Sequence, residues 1–155
     1  MRLGILLGDT TASQLAYFAI SQINEVVKKS SKDDFVIFFE NATPCVIQPL
    51  CATMNSSEIW NFDGVLVSTT VSNTLTSLKA VTPKRKYFYV WDLEWNRNHG
   101  KNFESSIEAY TSPEISLIAR GLDHAKAIEN YCNKKVCGSV SNFNLKQLMD
   151  VINHE

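Results

Sequence analysis

Lys86-Tyr87-Phe88-Tyr89-Val90-Trp91-Asp92-Leu93-Glu94-Trp95 decides the fold, because it joins the clearest buried-strand signal in the chain to its densest group of functional side chains. Tyr87 to Trp91 is an unbroken run of aromatic and β-branched residues. A run of this kind suits a strand covered on both faces, the environment of a parallel sheet. Lys84, Arg85 and Lys86 precede it and read as a solvated loop after Pro83. Asp92, Glu94 and Trp95 follow where the strand must end. Ligands of open α/β sheets sit outside the carboxyl ends of the strands, so Asp92 and Glu94 become the candidate catalytic carboxylates.

Outward from this stretch, similar apolar runs recur at Leu3–Leu7, Phe35–Phe39, Gly64–Thr69, Ile115–Ala119 and Val136–Val140. Helical spacing separates them. Thr11 with Gln14 resembles a capping box, followed by a stripe of Ala12, Leu15, Ala16, Ala19, Ile20, Ile23, Val26 and Val27. Thr70, Ser72 and Asn73 are candidate caps for a short helix with Leu75 and Leu78. Asp123 is the expected cap of a helix whose face is Ala125, Ile128 and Cys132. Asn144 with Gln147 opens a final helix burying Leu145, Leu148, Met149 and Ile152. Residues 42–62 read as irregular structure with a helical piece, Cys45–Gln48 being either a short strand or an apolar loop. Asn96–Asn102 reads as a polar loop, and Phe103–Tyr110 fits a strand or a partial helix equally. Strands alternating with helices from end to end predict one α/β domain over residues 1–155. Its expected form is three-layer and Rossmann-like, with a doubly wound, mainly parallel sheet of five to six strands.

Composition narrows the function. A chain of 155 residues, 45% hydrophobic and 20% charged, is a globular domain that buries roughly 70% of its unfolded surface. Its net charge of −1 removes the electrostatic case for a nucleic-acid binder. Leu3–Leu7 is too short for a signal-peptide core, and no segment has the length of a membrane span. A cytoplasmic location follows as the expectation. The four cysteines show neither CxxC spacing nor a paired His–Cys pattern, so they are read as reduced, mostly buried thiols without metal.

In a parallel sheet all strand carboxyl ends open onto one edge. That edge collects Gly8, Asp9, Thr10 and Thr11, then Glu40 and Asn41, then Ser68, Thr69 and Thr70, then Trp91, Asp92, Glu94 and Trp95, and finally Arg120. His99, five residues beyond Glu94, completes the candidate ligand-binding set. Hydroxyls, amides, carboxylates and an arginine in one place suit a polyhydroxylated ligand, with Trp91 or Trp95 offering a flat apolar face. The first turn lacks the G-x-G-x-x-G of dinucleotide binding, and there is no Walker A lysine pattern, so no cofactor is expected. Gly8-Asp9-Thr10 has threonine where a GDS-type serine hydrolase needs its nucleophile. Ser68-Thr69-Thr70 stands where a receiver domain needs its acidic phosphoacceptor. Asp92-x-Glu94 alone does not make a metal site.

Gly4-Ile-Leu-Leu-Gly-Asp9, Asp63-Gly-Val-Leu-Val-Ser-Thr69, Phe88-Tyr-Val-Trp-Asp-Leu-Glu-Trp95 and Ile115-Ser-Leu-Ile-Ala-Arg-Gly-Leu-Asp-His124 together resemble one Rossmann-like half of a GT-B glycosyltransferase of the kind found in tailed-phage genomes. The resemblance spans most of the chain. It implies a sugar, nucleotide-sugar or glycosylated acceptor bound at the strand ends. The family closes its cleft between two such halves, the second holding most of the donor, and this chain has length for one. Inactivity as an isolated monomer is therefore expected, with completion by a homodimer, Trp95 lying near either its interface or the ligand, or by a second glycosyltransferase-like chain. The competing expectation is a non-enzymatic α/β interaction or regulatory module.

Overall fold

In the computed structural model, which describes residues 1–29, 32–97 and 101–155, the apolar runs line up as one parallel sheet. Its strands are β1 (Arg2–Leu7), β2 (Asp34–Phe39), β3 (Ala52–Asn55), β4 (Val65–Ser68), β5 (Arg85–Val90), β6 (Ile115–Ala119) and β7 (Val136–Ser139). The helices are α1 (Gln14–Lys28), α2 (Val71–Lys79), α3 (Lys101–Thr111), α4 (Leu122–Cys132) and α5 (Leu145–His154). The strand order is β3-β2-β1-β4-β5-β6-β7, so the chain winds one way from β1 and the other way from β4. Between β1 and β4 lies the point where a doubly wound sheet opens a crevice at its carboxyl edge. The fold is α/β and Rossmann-like.

Period-two alternation sorts the side chains. Leu3, Ile5, Leu7, Val67, Tyr87 and Tyr89 enter the larger core, with Ile20 and Ile23 of α1 and Leu145, Leu148 and Ile152 of α5. Phe88, Val90, Leu117 and Ala119 face the other way, onto Ala109 and Tyr110 of α3 and Ile128 of α4. Beside them Leu6, Val36, Phe38 and Leu66 pack on Ile59 and Phe62. Gly4 makes room for the last of these, since a Cβ there would stand 2.8 Å from the Phe38 ring and 2.9 Å from that of Phe62. Layers on both faces explain why the strand sequences are apolar throughout instead of alternating.

Several expectations need correction. The sheet has seven strands, the addition being β3 at an edge, while Cys45–Gln48 forms no strand. All residues of β3 are exposed, so Ala-Thr-Met-Asn carries no apolar run. Ser56–Asn61 is a 3-10 helix, the helical piece expected there. Phe103–Tyr110 belongs to α3, and a 3-10 turn at Glu94–Arg97 takes up the start of the predicted loop. Helix α1 starts after Ser13, whose hydroxyl accepts from the Ala16 amide, not from a Thr11 cap. Helix α4 has Gly121 at its cap without a side-chain bond, and Asp123 is fully exposed beside Lys126. Thr70 caps α2 and Asn144 caps α5 as expected.

Arg85 and Lys86 are not loop residues. Lys86 is buried in β5, its Nζ donating to the Leu78 carbonyl and to Glu114, while Arg85 donates to the Ile152 carbonyl. The cysteines are all free, but Cys45 and Cys137 are exposed and Cys51 and Cys132 half-buried, against the expectation of mostly buried thiols. No helix among the described residues is long and apolar enough to cross a membrane.

Candidate functional site

A cleft of about 350 Å³ lies over the carboxyl ends of β1, β4 and β5. Leu7, Gly8 and Asp9 form one side, and the first turn of α1, Ser13 to Ala16, continues it. Thr69 and Thr70 come from the turn between β4 and α2; Trp91, Asp92, Glu94 and Arg97 come from the end of β5 and the turn after it. The sequence places them there for a simple reason: each follows an apolar strand that cannot continue past a polar residue without leaving the core.

The floor is Trp91, 9% exposed, which packs near Phe18 of α1 with ring centroids 6.2 Å apart. Arg120, at the end of β6, lays its guanidinium carbon 3.8 Å from the centroid of the same indole and donates to the Trp91 carbonyl. Such a cation–π contact is worth about 0.5 to 2 kcal/mol depending on its desolvation. Arg120 forms no salt bridge among the described residues.

Glu94 and Asp92 differ in setting. Glu94 is half-buried, and its carboxylate accepts from the Val71 amide at 2.9 Å, in the first turn of α2. Burial raises its pKa above the ordinary carboxylate value, with the nearby Asp92 charge adding to the rise and the Val71 bond opposing it. Asp92 is more open and meets Arg97 at 3.7 Å, both side chains well exposed, so this ion pair contributes little. Asp9 forms an Asx-type turn, one carboxylate oxygen accepting from the Thr11 amide at 3.0 Å and from the Thr11 hydroxyl.

Beneath the rim, hydroxyls hold the β4–α2 turn in place. Thr69 donates to the Leu6 carbonyl at 2.8 Å, and Asn73 reaches the same carbonyl at 3.3 Å. Ser68, fully buried, bonds Thr74 at 2.7 Å and donates to the Tyr87 carbonyl at 3.0 Å. The buried side of α2 is accordingly polar, formed by Asn73, Thr74 and Ser77 next to Val71.

Of the residues selected from sequence, Gly8, Asp9, Thr69, Thr70, Trp91, Asp92 and Glu94 meet in the cleft, and Arg120 adjoins it through Trp91. Thr10 lies apart, bonded to the Thr43 carbonyl in a second depression. Thr11 serves the Asp9 turn, and Ser68 is structural. Glu40 and Asn41 are exposed and use their amides to bond the Gly8 carbonyl. Trp95 is stacked on Tyr131 with centroids 4.0 Å apart and packed edge-on against Tyr110, bracing α3 and α4 instead of lining the cleft. His99 lies outside the described residues. Ser13, Gln14 and Arg97 line the cleft without having been selected. The helix start placed two residues early hid the first pair, and the polar loop reading hid Arg97.

Chemically the cleft is rich in acceptors. Three carboxylates, Asp9, Asp92 and Glu94, face one guanidinium, Arg97. The amides of Gln14 and Leu15 in the first turn of α1 have no partner among the described residues, and they add donors to Arg97. No group of three or more metal-ligating side chains occurs among the described residues. No family model matches the chain, and neither curated proteins nor solved structures yield a match.

Proposed function

We propose that this domain binds a polyhydroxylated ligand of the sugar class in the β1–β4–β5 cleft, acting as the acceptor-side half of a glycosyltransferase-like system and transferring nothing as an isolated monomer. The observation that supports this reading is the surplus of carboxylates at the sheet's switch point. A cavity lined by acceptors selects a ligand that donates, and sugar hydroxyls donate from several directions. A nucleoside diphosphate is disfavoured, since two like charges 4 Å apart near a protein surface repel by about 4 kcal/mol. The volume falls within the range of small-molecule sites. In this reading Asp92 is the group that accepts a hydroxyl proton, being open and only loosely paired. Glu94 acts as a positioning residue, tied to the Val71 amide. One open wall can neither enclose a donor nor exclude water, so catalysis requires a second wall.

The test is a titration of the purified chain with mono- and disaccharides and, separately, with nucleoside diphosphates, followed by tryptophan fluorescence and amide chemical shifts. Saturable binding of a sugar that shifts the Gly8, Thr70 and Asp92 amides is expected, weakened at least tenfold in Asp92→Asn. Saturation by nucleotides with no response to any sugar would overturn the assignment.

A further inference from the structure

A second depression, of about 370 Å³, lies beside the end of β2 and is lined in part by Thr10, from the turn that follows β1. It is the cleft's immediate neighbour. Asp9 lines the cleft and Thr10 lines the depression, and consecutive Cα atoms are only about 3.8 Å apart. The wall between the two is therefore the turn after β1. Residues 40–46 brace that turn, the Glu40 amide donating to the Gly8 carbonyl at 3.2 Å and the Val46 amide to the Thr10 carbonyl at 2.8 Å.

The two cavities have opposite chemistry. The cleft gathers three carboxylates and a guanidinium, whereas no charged side chain lines the depression, and the sequence from Asn41 to Ser57 contains none. Phe39, Ala42 and Pro44 give it apolar walls. Its polar side chains are mostly spent on one another. The Thr10 hydroxyl donates to the Thr43 carbonyl at 3.2 Å, stands 3.4 Å from the Thr43 hydroxyl and accepts from the Cys45 thiol at 3.5 Å. Of the lining side chains, only the Thr53 hydroxyl has no bond among the described residues. A space so lined offers a ligand contact area but few hydrogen bonds, and its volume falls within the range of small-molecule sites.

We infer that the depression is an aglycone subsite: it takes an uncharged aryl or short alkyl group attached to the sugar held in the cleft. This rests on the sugar-class reading of the cleft and names the kind of sugar derivative it serves. Two observations select the occupant. The satisfied hydroxyls exclude a group with many polar edges, such as a nucleobase, whose donors and acceptors would lose water without gaining partners. The shared turn favours a tethered group over a separate molecule, because a substituent on a sugar already bound one residue away reaches the depression by an intramolecular step. Thr10, selected from sequence as a sugar ligand, acquires a different role here, as part of the wall that the aglycone meets.

Glucose and galactose are compared with their phenyl glycosides by titration of the full chain, followed by amide chemical shifts. The phenyl glycosides should bind more tightly than the free sugars by about tenfold, as burial of a small apolar group allows, and should shift the Phe39 and Thr53 amides in addition to those of the cleft. Ala42→Phe, which fills the depression from an exposed position, should remove the advantage of the phenyl group and leave binding of the free sugars unchanged. Cys45 is exposed and lines the depression, so its alkylation by iodoacetamide should be lost in step with phenyl glycoside occupancy and unaffected by free sugar. That readout on unaltered protein keeps the test valid if Ala42→Phe folds poorly. Free sugars that bind as tightly as their phenyl glycosides, with Cys45 unprotected, overturn the subsite and leave the sugar reading standing. A phenyl advantage that survives Ala42→Phe in a folded protein overturns the subsite equally. If neither sugars nor glycosides bind, the sugar reading itself falls, and the aglycone falls with it.

Discussion

Strands β5 and β3 belong to the same sheet and have the same parallel pairing, yet they are built from opposite materials. Every side chain of β5 beyond Arg85 is buried, with Tyr87 and Tyr89 on one face and Lys86, Phe88 and Val90 on the other. None of β3 is buried, and its residues are small or polar apart from Met54. The difference comes from position. A strand with two neighbours and a helical layer above and below has little contact with water, so its side chains are apolar or, like Lys86, hydrogen-bonded where they are buried. An edge strand keeps one backbone row and much of both faces in solvent, so its pairing with β2 rests on backbone hydrogen bonds. Burial therefore carries stability at the centre of this sheet, while the edge rests on its backbone pairing with β2.

The largest test of that contrast is at Tyr89. Its ring stacks edge-on against Phe143 at 5.1 Å, while its hydroxyl donates to the Val140 carbonyl at 2.7 Å and accepts from the Phe143 amide at 3.3 Å. Tyr89→Ala removes a fully buried ring and strands two polar groups. A loss of about 3 to 5 kcal/mol is expected, on the scale of aromatic truncations in cores, read as a shift of the denaturant midpoint. A loss below about 1 kcal/mol would mean that β5 is not the centre of the core.

The same contrast governs what could be read before the structure. Strands β1, β2, β4, β5 and β6 announced themselves because burial on two faces leaves an unbroken apolar run in the sequence. Strand β3 left none, since Ala-Thr-Met-Asn is what an exposed edge tolerates. Helix α3 was ambiguous because Ile107, Ala109 and Tyr110 give too short a stripe to separate helical from strand spacing. The cleft was legible wherever a strand end could be located, which is how Asp92, Glu94, Thr70 and Asp9 were found. It was illegible where the side chain's direction mattered: Trp95 and Trp91 are both aromatic residues after one strand, and only packing turns the first to Tyr131 and the second to the cleft. Glu40 and Asn41 also follow a strand, but β2 lies beyond β1, away from the switch point.

A smaller effect is expected at the border between core and cleft. The folded protein raises the pKa of Glu94, so the folded state holds this proton to a higher pH than the unfolded chain does. Between the ordinary carboxylate value and the raised one, the folded state binds more protons, and stability falls as pH rises through that window. Glu94→Gln keeps an oxygen to accept from Val71 and removes the titration. Its melting temperature should therefore decline less between pH 4 and pH 7 than that of the unaltered chain. Identical pH profiles would show that Glu94 is effectively solvated.

The smallest effect is predicted at the edge. Met54 lies on β3 opposite Phe38 of β2, on the face of the small core cluster of Phe38 and Phe62, but the cluster closes without it. Met54→Ala in dilute solution should change stability by no more than about 0.5 kcal/mol, as exposed substitutions generally do. Tyr89→Ala, which empties a fully buried position, should cost several times as much in the same denaturant melts. A Met54→Ala cost close to that of Tyr89→Ala would place Met54 in the core and erase the difference between the two strands.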